Sequence, residues 1–426
     1  MQIWVVTQYY PPEPGAPSAR LSGLAAEWVR AGQDVVIFTG IPNHPDGVVQ
    51  EGYRDLPPWS EREEDGVKVR RHRSYIAPNR GKVKRVAGMI SFAGSVAAYN
   101  LLRPHGPVPD VIMASSPSFF GVGAAWLLSR RYGARFVFEV RDLWPAIFLQ
   151  MDILSPGALY DLLERIELGL YRRADAVVTV TTSFAREIAG RGIDPDKLWV
   201  VFNGVSEADL ARADAVQRGE APAALRERLG IRPDQRVVLY LGNHGQAQAL
   251  DQILDAARGF APGEDVVFLF VGQGADKARL EALAAELGQV RFLPPVPHSE
   301  TWAWYAMADV NVVCLKDIPD FDMFIPSKMF EVMAASRCAV GALRGEGAAL
   351  MAESGSAEVV PSEDPEALRG ALRGLLSDPA RRARLGAAGR AFVEERFSHR
   401  RLAAQYLGLF ERLTGRDARE LPPRGA

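Results

Sequence analysis

The chain has 426 residues, with 50 Lys and Arg against 52 Asp and Glu, for a net charge of −2. Apolar residues make up 48% and charged residues 24%, which excludes a collagen, a coiled coil and a disordered tail and fits two or three globular domains. The near-neutral charge argues against a global grip on nucleic acid, which is driven by phosphate neutralisation. Only Cys314 and Cys338 are present, so no disulfide framework and no cysteine-rich zinc site is expected, and a reducing cytoplasm fits best. The N-terminal MQIWVVTQYYPPEPG has no basic region followed by a long apolar run. It reads as a first strand and not as a signal peptide.

In chain order, short apolar β-branched runs predict strands at 3–8, 34–40, 67–72, 110–115, 135–140, 176–181 and 198–204. Such runs suit parallel strands buried on both faces. Amphipathic segments lie between them, such as 19–32, which ends at Gly32 as a helix C-cap would. Residues 205–235 are rich in Ala, Asp, Glu, Arg and Pro and read as a linker plus one helix. A second strand set follows at 236–243, 265–272, 290–296, 309–315, 338–343 and 357–362. The expected fold is α/β, with two doubly wound Rossmann-like domains over 1–203 and 204–395. A helical tail over 396–418 packs back on the first, and the chain beyond it frays. Two such domains facing each other place a ligand cleft at the carboxyl ends of both sheets.

FIPSKMFEVMAAS, residues 324–336, carries the most chemical information. Pro326 suits a first helical turn and Ser327 an N-cap or early-turn position. Lys328 then stands at the positive end of the helix dipole, an arrangement for an anion such as a diphosphate. Glu331, one turn on, can accept two hydrogen bonds from a ribose diol. An ordinary capped helix with a first-turn Glu explains the same residues without a ligand. In PPEPGAPSAR, residues 11–20, Gly15 allows a backbone close to a phosphate, Ala16 opens the helix, and Arg20 aims at a phosphate of a donor or an acceptor. VGQGADK, residues 271–277, lacks the third glycine of a dinucleotide fingerprint, so Gly272 reads as shaping a turn beside a base. EVRDLWP places Glu139, Arg141 and Asp142 at a strand end, either as a site or as an ion pair ordering the loop. Asn43 and His44 follow the second strand, and His44 is either a structural loop residue or a base for an acceptor hydroxyl. Asp317, Asp320 and Asp322 cluster, more as a solvated loop than as a cation site.

PSKMFE, followed by a small residue and AVG, resembles the donor-binding segment of the family 4 retaining glycosyltransferases, which have the GT-B fold. QYYPPEPGAPSAR, TGIPNHPDG, APNRG, EVRDLWP, VVFNGV, YLGNHGQAQALD and VGQGADK fall in the order of that family, over residues 2 to about 400. The likeness is to the bacterial branch that builds surface polysaccharides, often from N-acetylated amino-sugar donors. It implies transfer of a sugar from a nucleotide-sugar, expected to be UDP-linked, to a lipid-linked or glycan acceptor with retention. It implies no cofactor and no metal. Carried over by position, it gives Glu331 the ribose and Lys328 the diphosphate. Asn243, His244, Gly272 and Val296 join Gly15, Ala16, Pro326 and Ser327 around the donor. Arg20, Asn43, His44 and Glu139 fall to the acceptor, and Arg141, Asp142, His44 and Lys328 to catalysis. The family's first donor-segment Glu falls on Met323, so the N–H groups of Phe324 and Ile325 are expected to hold the sugar. The loop GNHGQAQA lacks the family's basic pair, which leaves Lys328 the phosphate charge with help from His244. A nucleotide-sugar 2-epimerase and a non-catalytic nucleotide-sugar binding module are the competing readings.

One stretch departs from the average charge. Residues 66–109 hold nine Lys and Arg and no Asp or Glu, and 86–102 is uncharged. This predicts either docking of the first domain on an anionic inner leaflet, as a cytoplasmic protein peripheral to the membrane, or a buried helix beside a solvated basic strand.

Overall fold

The computed structural model describes residues 1–44, 47–77, 82–102, 107–116, 118–146, 155–261 and 263–416, the side chains of 82, 83 and 85 excepted. The chain divides into two units, one of 1–202 with 399–426 and one of 203–398.

Unit 1 runs β1 (Gln2–Val6), α1 (Ala16–Arg30), β2 (Asp34–Gly40), β3 (Trp59–Glu64), β4 (Val67–His72), α2 (Lys82–Leu102), β5 (Val111–Ser115), α3 (Phe119–Tyr132), β6 (Arg135–Val140), α4 (Ala158–Arg173), β7 (Ala176–Thr179), α5 (Thr182–Gly190) and β8 (Leu198–Val200). Its sheet has the order β3-β4-β2-β1-β5-β6-β7-β8, parallel except for β3. The apolar runs QIWVV and VIMAS are buried along their whole length because helices cover both sheet faces.

The strand β3 has no counterpart in the expected set. WSEREE is an edge strand with exposed side chains, so it carries charge instead of an apolar pattern. It lies antiparallel to β4, with Glu61 opposite Arg70 and Glu63 opposite Lys68. Arg70 Nε donates to Glu61 Oε2, and Glu64 stands 3.5 Å from Arg71. The basic strand within 66–109 is therefore neutralised by the acidic strand just before it. Arg80 and Arg103 of that span lie outside the described residues, as does most of APNRG.

Unit 2 runs α6 (Glu207–Arg218), α7 (Ala221–Arg228), β9 (Arg236–Leu241), α8 (Asp251–Arg258), β10 (Val266–Val271), α9 (Lys277–Leu283), β11 (Val290–Leu293), α10 (Thr301–Met307), β12 (Val310–Cys314), α11 (Lys328–Ala334), β13 (Ala339–Ala342), α12 (Gly345–Ser354), β14 (Ala357–Val360), α13 (Pro365–Ser377) and α14 (Pro379–Arg396). The expected single helix in 205–235 is two. Ser206 caps α6 by accepting from the Asp209 N–H, and Pro222 opens the first turn of α7. The all-parallel sheet has the order β11-β10-β9-β12-β13-β14. The chain winds one way from β9 to β11 and the other way from β12, so the switch point lies between β9 and β12, where open α/β sheets bind ligands.

The chain then returns to unit 1 as α15 (His399–Thr414), packed along α1. Trp28 Nε1 donates to Ala403 O at 3.2 Å, and Gly23 lies so close to His399 that a Cβ there would be 1.8 Å from Nδ1. Beneath this contact, Arg20 Nε donates to Glu139 Oε1 at 3.0 Å, and both side chains are fully buried. Arg20 Nη2 donates to Val201 O at 2.8 Å, and Nη1 donates to Phe202 O. The Tyr406 and Ser115 hydroxyls donate to Glu139. The expected acceptor-binding role of Arg20 and Glu139 is corrected here: each is sealed from solvent and spent on the other.

Removing one partner of a buried pair strands the other charge, which costs about 3–5 kcal/mol. Arg20→Met is expected to lower unfolding free energy by that amount, and Tyr406→Phe by about 1–3 kcal/mol. Equilibrium urea denaturation at constant m-value is the check.

Candidate functional site

On the β9 side of the switch point of unit 2, the loops after β9, β10 and β11 surround a cavity of about 250 Å³, lined by Leu241, Gly242, Asn243, Val271, Gly272, Gln273, Pro295 and Val296. The glycines of VGQGADK are required by contact between loops. A Cβ on Gly272 would lie 1.8 Å from Gly242 O, and one on Gly274 would lie 2.3 Å from His244 O. Lys277 Nζ fastens the arrangement by donating to Gly272 O and Leu293 O, both at 2.9 Å. Gly272 and Val296 thus both border the cavity.

Lys328 begins α11 across the switch point. Its Nζ lies 3.8 Å from the centroid of the Tyr240 ring, and a Cβ on Gly242 would be 2.9 Å from it. The ammonium is buried and has no hydrogen-bond acceptor among the described residues. Burial pushes its pKa down to about 8, against the opposing pull of Cys314 and Glu331. A buried cation with three donors and no acceptor is suited to an anion.

Glu331 lies one helical turn on. Its Oε2 accepts from the Tyr305 hydroxyl at 2.6 Å, and burial raises its pKa. Asn243 is exposed, and its backbone carbonyl accepts from Tyr240 Oη at 2.7 Å. Both ring nitrogens of His244 are buried without a partner among the described residues, and burial, with the charges of Lys277 and Lys328, pushes its pKa down to about 4. Phe324 is a correction. Its N–H donates to Phe321 O at 3.1 Å within the 3₁₀ turn Pro319–Met323 and is not left for a sugar. Ile325 is buried and Pro326 half-buried, while Ser327 is exposed and makes no side-chain cap bond. Arg344 clasps Asp317 at 2.5 Å and Asp322 at 3.3 Å, which makes that acidic loop a salt-bridged turn. Among the described residues no group of His, Cys, Asp and Glu is arranged to hold a metal.

In unit 1, Gly15 has φ +117° and immediately precedes α1, whose first residue is Ala16. Asn43 and His44 direct their N–H groups to Glu13 Oε1 at 2.9 and 3.0 Å, and the Tyr9 ring is 5.2 Å from the His44 ring. Arg141 and Asp142 follow β6, and their N–H groups approach Ser116 Oγ at 2.7 and 3.4 Å. No ion pair joins Arg141 to Asp142, so the loop is ordered by Ser116 and not by an Arg–Asp bridge. Arg141 Nε and Nη1 are buried without a partner among the described residues. Burial lowers the Arg141 pKa and raises that of Asp142.

Sequence reasoning passed over Glu13, Tyr240 and Tyr305. An acid inside a proline-stiffened loop was the available signal for Glu13. The two tyrosines sit among apolar residues and read as core.

Two family models match the chain, "Glycosyl transferase 4-like domain" over residues 15–204 and "Glycosyl transferases group 1" over residues 223–392. A protein of Escherichia coli (strain K12), carrying the name colanic acid biosynthesis glycosyl transferase WcaI, is 28% identical over 80% of this chain and 83% of its own length. The sucrose-phosphate synthase of Thermosynechococcus elongatus has a similar fold, with a TM-score of 0.72 at 20% identity over 97% of this chain and 100% of that one. Anabaena HepE, solved in complex with UDP-glucose, has a TM-score of 0.68 at 16% identity over the same shares.

An anion beside Lys328 favours its ammonium form, so binding draws in protons near pH 8, and affinity falls as pH rises past about 8. Titration calorimetry with UDP in buffers of different ionisation heat is expected to show proton uptake in the native protein and none in Lys328→Met.

Proposed function

The chain belongs to the family 4 glycosyltransferases of the GT-B fold, and from that premise we propose that it moves a sugar from a UDP-linked donor to a hydroxyl of a lipid-linked or glycan acceptor in surface-polysaccharide synthesis. The observation that carries this reading is the bare ammonium of Lys328 beside the loop cavity of unit 2, with Glu331 one turn away on the same helix. UDP-glucose in HepE and the colanic acid role in the name of WcaI support it. The donor sugar is an N-acetylated amino sugar, by the branch that the motifs resemble.

The reaction breaks the bond between the anomeric carbon and the diphosphate oxygen and forms one from that carbon to the acceptor oxygen. Negative charge grows on the departing diphosphate, and Lys328 meets it without having to lose water, since its Nζ is already desolvated. The acceptor proton passes to the departing diphosphate, and the new bond forms on the face the diphosphate leaves, with retention. This route needs no side-chain base and no metal. Asp142, whose carboxyl burial holds toward the neutral form, and Arg141, whose Nε and Nη1 have no partner among the described residues, border the acceptor end of unit 1.

We infer that unit 1 also meets a membrane surface, chiefly through apolar side chains. Phe119, Phe120, Met89, Trp144 and Leu163 cluster where α2, α3 and α4 meet. Ile90, Leu159, Leu162 and Ile166 are exposed apolar residues on α2 and α4, and Lys84 is exposed near the start of α2. Between 86 and 102, α2 has no charge at all, unlike a helix meant to face only water. Among the described residues no helix is long and apolar enough to cross a membrane.

Lys328→Ala is expected to cut turnover on the order of 10²-fold or more with UDP-sugars, while chelation by EDTA leaves turnover unchanged. Full activity without Lys328 removes it from the mechanism. Flotation with phosphatidylglycerol vesicles is expected to carry the native protein and to lose it in the triple variant Ile90→Glu, Leu159→Glu, Leu162→Glu. No difference between the two ends the docking proposal.

A further inference from the structure

Tyr305 is buried in α10 and its hydroxyl donates to Glu331 Oε2 at 2.6 Å. Among the described residues no donor reaches the other carboxylate oxygen, Oε1. Three further groups act on this carboxylate. His298 Nε2 stands 3.3 Å from Asp209 Oδ1, Asp209 is held in turn by Ser206 Oγ at 2.7 Å, and Lys328 lies on the same helix as Glu331. We infer that Tyr305 is a positioning residue for the nucleoside. Its hydroxyl fixes Oε2 of Glu331 so that Oε1 takes a ribose hydroxyl, and through this pair the protein prefers ribonucleotide over 2′-deoxyribonucleotide donors. The inference rests on the reading that unit 2 takes a nucleotide-sugar.

The chemistry is asymmetric. A half-buried carboxylate that has given up water must regain its hydrogen bonds from the ligand, so a donor lacking the hydroxyl leaves it unpaired. That cost falls on the deoxy donor only if the carboxylate is held in place. A carboxylate free to rotate turns back to water and tolerates either sugar. Burial raises the Glu331 pKa, while the Tyr305 hydrogen bond, His298 and Lys328 lower it and Asp209 raises it. Tyr305 thus also favours the ionised form that accepts from the ligand. The Tyr305 hydroxyl has its own pKa raised well above the usual value by burial and by Glu331, so it remains a donor across the working pH range.

The test is Tyr305→Phe, which removes the hydroxyl and keeps the ring. KM and kcat are measured for UDP-N-acetylglucosamine and its 2′-deoxyribose analogue from acid to neutral pH, with affinity for UDP and 2′-deoxy-UDP measured alongside. The native protein is expected to prefer the ribose forms by about tenfold or more, the scale of one hydrogen bond to a charged group. In the variant this preference collapses, KM for the ribose donor rises about tenfold, and kcat at saturation stays within about twofold. The loss of affinity on the acid side moves to higher pH, because the bond that favoured ionised Glu331 is gone. Glu331→Gln is the second variant. It is expected to lose the same preference, and adding Tyr305→Phe to it changes nothing further. A Tyr305→Phe protein that keeps the native preference and the native pH profile overturns the inference and leaves the nucleotide-sugar reading intact. A native protein that binds UDP with no preference for ribose does the same, whereas one that binds no nucleotide at all overturns both.

Discussion

A guanidinium sealed inside a protein must find its counter-charge there, and in unit 1 that demand organises the chain. Arg20 from α1 meets Glu139 from β6, and the remaining hydrogen bonds of the pair are met by the carbonyls of Val201 and Phe202 and by the hydroxyls of Ser115 and Tyr406. These groups come from sites up to 386 residues apart in sequence. Because each is needed to satisfy the pair, the positions of α1, the ends of β5, β6 and β8, and α15 are fixed together. The unit division follows the same feature. The chain leaves unit 1 just after Phe202 and re-enters at His399. Within unit 2, the Val205 N–H donates to Phe397 O at 3.0 Å, so the outgoing and incoming segments run side by side there.

The same rule separates structural charge from chemical charge. Glu139 and Arg20 are buried and compensated, so they belong to the architecture. Lys328 is buried and uncompensated, with an aromatic face as its nearest neighbour, and an arrangement that costs stability when empty is one shaped for a ligand. His244 shows the alternative response to burial: it gives up its charge and stays neutral. Four residues named as a phosphate grip or an acceptor site from their sequence position thus divide into three physical classes once their surroundings are known.

The βαβ alternation was legible because strands buried on both faces must be apolar throughout, as QIWVV and VVFLFV are. β3 was not legible, since an edge strand is free to be WSEREE, and its acids come just before the basic strand that they neutralise. The two helices of 207–228 were merged into one because Ala, Glu and Arg recur through both with no apolar stripe to mark the break at Gly219. Within the site, Pro326-Ser327-Lys328 and Glu331 were readable from local spacing on one helix. The partnership of Arg20 with Glu139 spans 119 positions, and that of Tyr305 with Glu331 joins two elements, so no local pattern announces either. Gly272 and Gly274 looked like half of a nucleotide fingerprint, and what demands them is the backbone of the neighbouring loop.

The return of α15 to unit 1 has a consequence for synthesis on the ribosome. Arg20, Trp28 and Glu139 emerge long before Tyr406 and Ala403, which complete their hydrogen bonds. Until the last helix clears the exit tunnel, α1 keeps its Trp28 stripe uncovered and the Arg20–Glu139 pair lacks one of its donors. The interval is nearly the length of the chain: Trp28 precedes by 375 residues the Ala403 carbonyl that accepts from it, so this face of α1 is made early and covered late.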